Sequence, residues 1–407
     1  MITPTPQQLA WQEAGFGLFH HFGVNTFNGE EWSDGTLSPA SFDPSALDAA
    51  QWAATAAAAG AKYAILTAKH HDGFCLWPTA TTDYSVASSP YRDGKGDVVR
   101  EFTEAYRAAG LKVGLYLSPW DRNAPCYPDP AAYDDFYVRQ LTELCTGYGE
   151  LFEVWFDGAG SEGRTYDWDR IMGVIDKHQP DAMVFNLGRP SIRWVGNEDG
   201  LADDPCHYFT DSRGISIYAD GEEDMNASAY LPLECDVPIR DNWFWQPDDL
   251  DTLKSREHLL AIWYRSMGLG AGLLLNLAPD RRGLIDDHDR DRLLETTSEL
   301  RRRFADPQPA RLAAHSGEVT LRWPEPVTLD HLELHEDLTE GQRIQHHEVL
   351  CDGRPIASGH TVGVRRLHAF PAVTTTELRV RLRGEEPLLR GATGYRTGVE
   401  TPPVLED

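Results

Sequence analysis

Side chains suited to a polar, uncharged ligand follow several short apolar segments of the sequence. Histidine, tryptophan, tyrosine and carboxylate residues cluster after these segments, and lysine is almost absent there. They are His20, His21, Asn25, Glu30, Glu31, Trp32, Lys69, His70, His71, Asp72, Tyr116, Trp120, Asp121, Trp155, Asp157, Arg193, Trp194 and Glu198. Because such groups exchange hydrogen bonds with hydroxyls and pack against apolar ring faces, the pattern favours a neutral polyhydroxylated ligand.

Asp157 is the strongest candidate for a reacting group. It directly follows the apolar segment FEVWF and precedes Gly158, which lets the chain turn sharply. A carboxyl group is costly to bury there unless it is paired or takes part in chemistry. A glycosidase that retains configuration needs two carboxyl groups ~5 Å apart, one as nucleophile and one as acid/base. Spacing alone leaves the partner open among Glu31, Glu198 and Glu234.

The histidine pairs raise the alternative of a metal site. Its ligands would be His21, His70, His71 and Asp72. Neighbouring residues of a strand point to opposite faces, however, so both members of a pair cannot readily reach one ion. We therefore expect no metal and no cofactor. A serine or cysteine nucleophile is also disfavoured, because no GxSxG motif occurs and Cys75 lacks a recognisable base.

Strand-like and helical segments alternate over most of the chain and must position these groups. The apolar segments fall at residues 16–24, 62–68, 112–118, 151–158, 182–187 and 272–279, and helical patterns at 42–60, 97–110, 131–149, 166–180 and 253–270. Repeated βα units of this kind predict a (β/α)8 barrel, with an open doubly wound sheet as the second choice. Barrel enzymes catalyse at the carboxyl ends of their strands, which is where the residues above lie.

The last hundred residues follow a different pattern. A helix predicted at 288–306 is followed by Pro307 and Pro309, and then by alternating segments joined by Gly, Pro and Asp turns. We predict a catalytic barrel over residues 1–306 and an all-β sandwich over residues 307–407.

Composition excludes several classes of partner. The 407 residues carry 37 Lys and Arg against 64 Asp and Glu, and a net charge of −27 disfavours nucleic acid and anionic membranes. The N-terminus MITPTPQQLAWQEAG lacks the basic and apolar regions of a secretory signal, so we expect a cytoplasmic protein unless a signal has been removed. The 12 tryptophans favour a ligand with flat, partly apolar faces, such as a sugar.

The sequence resembles glycoside hydrolase family 29, the retaining α-L-fucosidases. The resemblance rests on the segments FGLFHHFGV, GEEW, KYAILTAKHHDGFCLWPTATTDYSV, GLKVGLYLSPWDRN, VWFDG and NLAPDRRGLI, and it covers roughly residues 10–305. The variants HHFGVNTF, LSPWDRN, RWVGNE and ECDVPIRDNWFW look like the branch that acts on α-1,3/1,4-linked fucose of branched glycans. The tail resembles the β-sandwich that commonly follows the barrel in that branch.

The resemblance implies a role for each candidate. Asp157 would be the nucleophile that forms a covalent fucosyl-enzyme, and Glu198 the acid/base, with Glu234 as its alternative. The residues implied to contact the fucose of an oligosaccharide substrate are His21, Glu31, Trp32, His70, His71, Tyr116 and Arg193.

The chemistry of fucose adds two expectations. A 6-deoxy sugar needs an apolar wall for its methyl group, for which Trp32, Trp155 and Phe22 are candidates. Glu198 must hold a proton near neutral pH, so we expect its pKa to be raised. Two alternatives stay open: a non-catalytic fucose-binding lectin on the same fold, and a glycosidase for a related sugar such as galactose.

Overall fold

The first sheet of the protein is an eight-stranded parallel barrel. The computed structural model describes residues 2–210, 229–315 and 317–405. The strands up to the barrel's end are β1 (Phe16–His20), β2 (Tyr63–Lys69), β3 (Lys112–Leu117), β4 (Glu153–Trp155), β5 (Met183–Phe185), β6 (Arg193–Trp194), β7 (Phe209–Thr210), β8 (Ala229–Tyr230), β9 (Leu233–Pro238) and β10 (Gly272–Asn276). Their order in the barrel is β5-β4-β3-β2-β1-β10-β9-β6, while β7 and β8 form a separate antiparallel pair. A bridge between Phe185 and Ile192 joins the two edges, so the barrel is nearly closed.

Helices cover the outside of the barrel. They are α1 (Pro6–Ala14), α2 (Val24–Asn28), α3 (Ala49–Ala59), α4 (Val98–Ala108), α5 (Pro130–Gly147), α6 (Trp168–His178), α7 (Arg256–Arg265) and α8 (Asp287–Arg303). The longer ones, α3 to α8, each begin at an Asp or Ser side chain that accepts from a backbone N–H of the first turn. The helix predicted at 42–60 begins later than expected, because Asp48 is its cap. No helix in the described part of the chain is long and apolar enough to cross a membrane.

Side chains alternate between the barrel interior and the layer beneath the helices. On β1, for example, Phe19 points inward and Leu18 points outward. The interior cluster consists of Trp11, Phe19, Tyr63, Ile65, Tyr116, Trp155, Met183, Phe185, Ile192 and Leu274. Gly17 is required next to this cluster, because a Cβ there would lie 2.5 Å from the ring of Tyr63. The interior is therefore filled by aromatic rings, and the pocket can form only above them.

The rest of the chain is antiparallel. Its strands are β11 (Gln308–Pro309), β12 (Arg311–His315), β13 (Glu318–Glu336), β14 (Ile344–Cys351), β15 (Arg354–Gly359), β16 (Arg366–Gly384) and β17 (Leu389–Tyr395). The first part of β13 lies between β12 and β16, and its last part lies between β17 and β16. These strands enclose a separate apolar core that includes Leu321, Leu332 and Val380. The predicted fold class, a barrel followed by a β-sandwich, is confirmed; the exact domain boundary stays a prediction.

Candidate active site

A pocket opens at the carboxyl ends of the barrel strands. Its empty volume, counted with its open mouth, is about 580 Å³. It is lined by Phe19, His21, Trp32, His70, His71, Trp155, Asp157, Ala159, Phe185, Asn186, Trp194, Glu198, Asp236 and Trp243. The structure thus brings together eight of the candidate residues from the sequence: His21, Trp32, His70, His71, Trp155, Asp157, Trp194 and Glu198.

Asp157 is held from two sides at the edge of this pocket. The Tyr116 hydroxyl donates to Asp157 Oδ2 at 3.0 Å, and the Ala159 N–H donates to Oδ1 at 2.8 Å. The side chain keeps 22% of its surface exposed. Burial raises the pKa of Asp157, although both hydrogen bonds act in the opposite direction. The carboxyl group is therefore fixed in orientation and still open to a ligand.

Two pocket histidines present an unprotonated nitrogen to the ligand. His21 Nδ1 lies 3.0 Å from the Asn276 side-chain oxygen, so it donates and leaves Nε2 as an acceptor. Ser118 donates its hydroxyl to Trp120, so its oxygen accepts from His71 Nδ1 at 2.7 Å. Burial lowers the pKa of His21 and of His71 to about 3, which keeps both rings neutral. Both rings can therefore accept hydrogen bonds from a ligand in the pocket.

The expectation that a histidine pair points to opposite faces is wrong for His70 and His71. Both line the pocket, and their ring centroids are 4.1 Å apart. The reason is a register shift between Thr67 and Lys69 at the end of β2, where the alternation breaks. Lys69 pairs with buried Asp121 at 2.9 Å, and the two histidines follow beyond the end of the strand. The expectation is correct for His20 and His21. His21 lines the pocket, whereas His20 points to the other face and bonds to Tyr106 on α4.

Glu198 lies at the rim of the pocket, on the segment that follows β6. Trp243 Nε1 donates to its Oε2 at 3.3 Å. Burial raises the pKa of Glu198, and the charge of Asp157 raises it further. The pKa of Glu198 is therefore raised, as predicted from the sequence. Asp157 and Glu198 are close enough to influence each other electrostatically.

Glu234, the alternative acid/base, lies inside the barrel and does not line the pocket. It accepts from the Tyr63 hydroxyl at 3.0 Å and from Trp155 Nε1 at 2.9 Å. Burial raises its pKa above the ordinary value of a glutamate, while the hydrogen bonds from Trp155 and Tyr63 act in the opposite direction. Its contacts hold the pocket floor from below, with Trp155 between Glu234 and the ligand space.

Three other predicted residues, Tyr116, Glu31 and Arg193, do not line the pocket themselves. Tyr116 is fully buried and acts through Asp157. Glu31 accepts from the N–H groups of Trp243 and Phe244 at 2.9 and 3.2 Å, and burial raises its pKa to about 7. Arg193 points away from the pocket and donates to the His207 carbonyl at 2.7 Å, because its neighbour Trp194 takes the inward position on β6.

Phe22, expected as a candidate wall for the methyl group, is not in the pocket. It points outward from β1 and packs against Phe42 and Trp52. The other two predicted wall residues, Trp32 and Trp155, do line the pocket. Sequence reasoning missed the further apolar lining from Phe19, Phe185 and Trp243, along with Asn186 and Asp236. A strand period of two residues would have found Phe19, two before His21, and Asp236, two after Glu234.

Asp236 is a buried carboxyl group in the pocket wall. Trp194 Nε1 donates to its Oδ1 at 2.6 Å, and burial raises its pKa well above the ordinary value. Across the described ranges, no group of three or more His, Cys, Asp or Glu side chains is arranged to hold a metal ion. The lining thus combines carboxyl groups, neutral imidazoles and aromatic rings.

Comparison with known proteins agrees with this geometry. Residues 36–302 match the family model for α-L-fucosidases. α-L-Fucosidase 1 from Arabidopsis thaliana is 38% identical over 90% of this chain and 81% of its own length. A glycoside hydrolase 29 family member from an unknown rumen bacterium is 34% identical, with a TM-score of 0.88 over 97% of this chain and 77% of its own.

A further solved structure shows a relative with its sugar. A family 29 fucosidase from Ruminococcus gnavus in complex with fucose is 27% identical, with a TM-score of 0.85 over 97% of this chain and 95% of its own. The chain belongs to the α-L-fucosidase family, glycoside hydrolase family 29, and is a glycoside hydrolase.

Proposed function

We propose that the protein is a retaining exo-α-L-fucosidase that releases terminal α-1,3/1,4-linked fucose through a covalent fucosyl-enzyme. The observation that carries this proposal is that Asp157 and Glu198 line one pocket in different environments. Asp157 accepts two hydrogen bonds that favour its charged form, whereas Glu198 lies near the charge of Asp157, which favours its protonated form.

In the first step the Asp157 carboxylate attacks the anomeric carbon of fucose, and the bond from that carbon to the glycosidic oxygen breaks. Glu198 gives its proton to the departing oxygen, so the aglycone leaves as an alcohol. In the second step Glu198, now a carboxylate, takes a proton from water, and the water oxygen displaces Asp157 at the anomeric carbon. Two displacements at one carbon restore the original configuration.

The remaining lining suits the three hydroxyls and the methyl group of fucose. His21 and His71 offer neutral nitrogen acceptors, and Asn186 adds an amide. Phe19, Phe185 and Trp155 supply apolar surface for the C5 methyl group. A galactosidase would instead need polar groups opposite the hydroxymethyl of its sugar. The complex of the R. gnavus relative with fucose supports the same sugar here.

The pocket has an aromatic rim that could bind the sugar next to fucose. Trp32 is 49% exposed and lies edge-on to Trp120, with ring centroids 5.5 Å apart. Trp243 forms another part of the rim, where it contacts Glu198. Exposed aromatic surface beside the acid/base supports a preference for a branched, sugar-containing leaving group, in line with the sequence variants of the α-1,3/1,4 branch.

The test is hydrolysis of Lewis a, Lewis x and 2′-fucosyllactose side by side, with the first-formed anomer of fucose followed by proton NMR. We expect both Lewis trisaccharides to be cleaved much faster than 2′-fucosyllactose, with α-fucose appearing first. Faster cleavage of 2′-fucosyllactose would contradict the linkage, and β-fucose appearing first would contradict retention. Binding of fucose without hydrolysis of any of the three would indicate a lectin.

A further inference from the structure

Two carboxyl groups that the proposed mechanism does not use face each other inside the barrel. Glu153 on β4 and Glu234 on β9 are both 0% exposed. Both belong to the inward-pointing set of side chains, below the floor of the pocket. Their carboxyl groups are in hydrogen-bonding contact. A pair of like groups in such a place needs a physical explanation.

The described hydrogen-bond donors around this pair leave one of its carboxyl oxygens without a partner. Glu234 accepts from Tyr63 and Trp155, and Glu153 Oε2 accepts from Trp11 Nε1 at 2.9 Å. Glu153 Oε1 is buried and receives no hydrogen bond from any described group. The neighbouring Glu234 is also a carboxyl group, so a hydrogen bond between the two acids can form only if one of them is protonated.

Among the residues that the structure describes, no cation lies beside the pair to let both acids ionise. The groups packed against the pair are Trp11 from α1, Tyr63 from β2 and Trp155 from β4, all neutral hydrogen-bond donors. No ion pair with either glutamate occurs among the described residues. The next inward group on β9 is another acid, Asp236, and burial together with the charge of Glu234 raises its pKa, so it supplies no positive charge either. Two adjacent buried anions would be far more costly than one shared proton.

We propose that Glu153 is a positioning residue that keeps its proton at neutral pH and donates it to Glu234, whose carboxylate then anchors the Trp155 indole. Burial and the neighbouring Glu234 raise the pKa of Glu153 well above its ordinary value, which agrees with this assignment. Glu234 would then have three donors: Tyr63, Trp155 and Glu153.

The anchored indole connects this pair to the nucleophile. Trp155 stacks on Phe185 at 4.0 Å between ring centroids and on Tyr116 at 5.3 Å. Tyr116 in turn donates to Asp157. A shift of Trp155 would therefore move both the pocket floor and the group that orients Asp157. This consequence rests on the proposed role of Asp157, whereas the location of the proton does not.

Infrared difference spectroscopy in D2O at neutral pD tests the location of the proton. We expect the wild-type spectrum to contain a protonated-carboxyl C=O band that is absent from Glu153→Gln. Glu143→Gln is the matched control, because Glu143 also accepts from a tryptophan, Trp77, but lies on α5. The proposal is overturned if the spectrum of Glu153→Gln keeps every protonated-carboxyl band of the wild type. If one of those bands is then lost in Glu234→Gln, the proton belongs to Glu234 instead.

Kinetics test the positioning role. The side-chain amide introduced by Glu153→Gln can donate to Glu234 as the acid does, so this variant should keep kcat/KM within about threefold, whereas Glu153→Leu should lower it by about tenfold or more. We expect KM to rise in the Leu variant, because Glu234, which anchors Trp155, loses the hydrogen bond from Glu153 that fixes its position. Equal kcat/KM in both variants would exclude a positioning role. The infrared band is measured without substrate, so it reports the location of the proton even if the proposed fucosidase function is wrong.

Discussion

At the scale of single residues, Asp157 and Glu198 are acids of similar chemistry that differ in the groups that contact them. Asp157 is oriented by a phenol and a backbone N–H, which stabilise its anion. Glu198 has one weak donor, Trp243, and lies near a negative charge. Because hydrogen bonds lower the pKa of an acid and a nearby anion raises it, the difference between the two is a property of these few contacts.

Removal of the proposed nucleophile should have the largest effect on rate. We expect Asp157→Ala to lower kcat on a nitrophenyl fucoside by about 10³-fold or more. Azide should restore part of the activity and yield a fucosyl azide, because a small anion fits the space left by the carboxylate. The measurement is steady-state kinetics with and without azide. Activity close to that of the wild type would exclude Asp157 as nucleophile.

The acid/base role proposed for Glu198 predicts that the effect of its removal depends on the leaving group of the substrate. Glu198→Ala should impair cleavage of natural oligosaccharides far more than that of substrates whose leaving groups need no proton. Glu234→Ala should lower activity on both substrate classes in similar proportion, since Glu234 lies beneath the pocket. If instead Glu234→Ala shows the selective profile, the assignment of acid and base is wrong.

The pH profile should have one limb from each acid. Activity requires ionised Asp157 and protonated Glu198, so kcat/KM should rise as Asp157 loses its proton and fall as Glu198 loses its own. Since the pKa of Glu198 is raised, its protonated form persists above the range of an ordinary glutamate. On an activated substrate, Glu198→Gln should abolish the alkaline limb; a limb that stays in place would have to come from another group.

At the scale of elements, the end of β2 determines how the histidines enter the pocket. The register shift there sends Lys69 outward to Asp121, and Asp121 Oδ1 accepts from the N–H groups of Asn123 and Ala124. One buried ion pair thus connects the segment carrying His70 and His71 to the loop after β3. Its partners are both almost fully buried, so neither charge can be removed alone without leaving the other unpaired.

A double-mutant cycle should reveal this connection. Lys69→Met alone should lower the free energy of unfolding by about 3–5 kcal/mol, because Asp121 stays buried without its cation. The double variant Lys69→Met with Asp121→Asn should be more stable than the sum of the two single losses predicts. Urea denaturation of the four proteins is the measurement. Additive losses would show that the two side chains act independently.

The elements also show what the sequence could predict. Six of the eight barrel strands and the inward residues Tyr116, Trp155 and Asp157 follow from apolar segments and a period of two, whereas β6 and β9 lie outside the predicted segments. The orientation of His71 does not, because a register shift depends on which strand pairs beside it and leaves no mark in the local pattern. The contact of Glu198 with Trp243 joins two segments 45 residues apart, and only the closed barrel brings them together.

At the scale of the whole molecule, the β-sandwich contacts the chain that follows Glu198. Gln342 accepts from the Tyr208 N–H at 3.0 Å and donates to the Cys206 carbonyl at 2.9 Å. Thr361 accepts from the Cys206 N–H at 3.0 Å. On the barrel side, Arg193 holds the His207 carbonyl. The segment downstream of the proposed acid/base is therefore held by hydrogen bonds from both sides, and we expect the sandwich to support Glu198 as well as to pack against the barrel.

Gln342→Leu tests that role, because it removes two buried hydrogen bonds to this segment with little change in side-chain size. We expect the free energy of unfolding to fall by about 2–4 kcal/mol and kcat on a Lewis trisaccharide to fall severalfold, since Glu198 loses support. Arg390→Ala is the control: it removes the ion pair between the sandwich and Glu13 on α1, whose side chains are 45% and 54% exposed, so neither quantity should change measurably. Lower stability with unchanged kcat would limit the sandwich to packing, because the acid/base segment would then hold its geometry without Gln342.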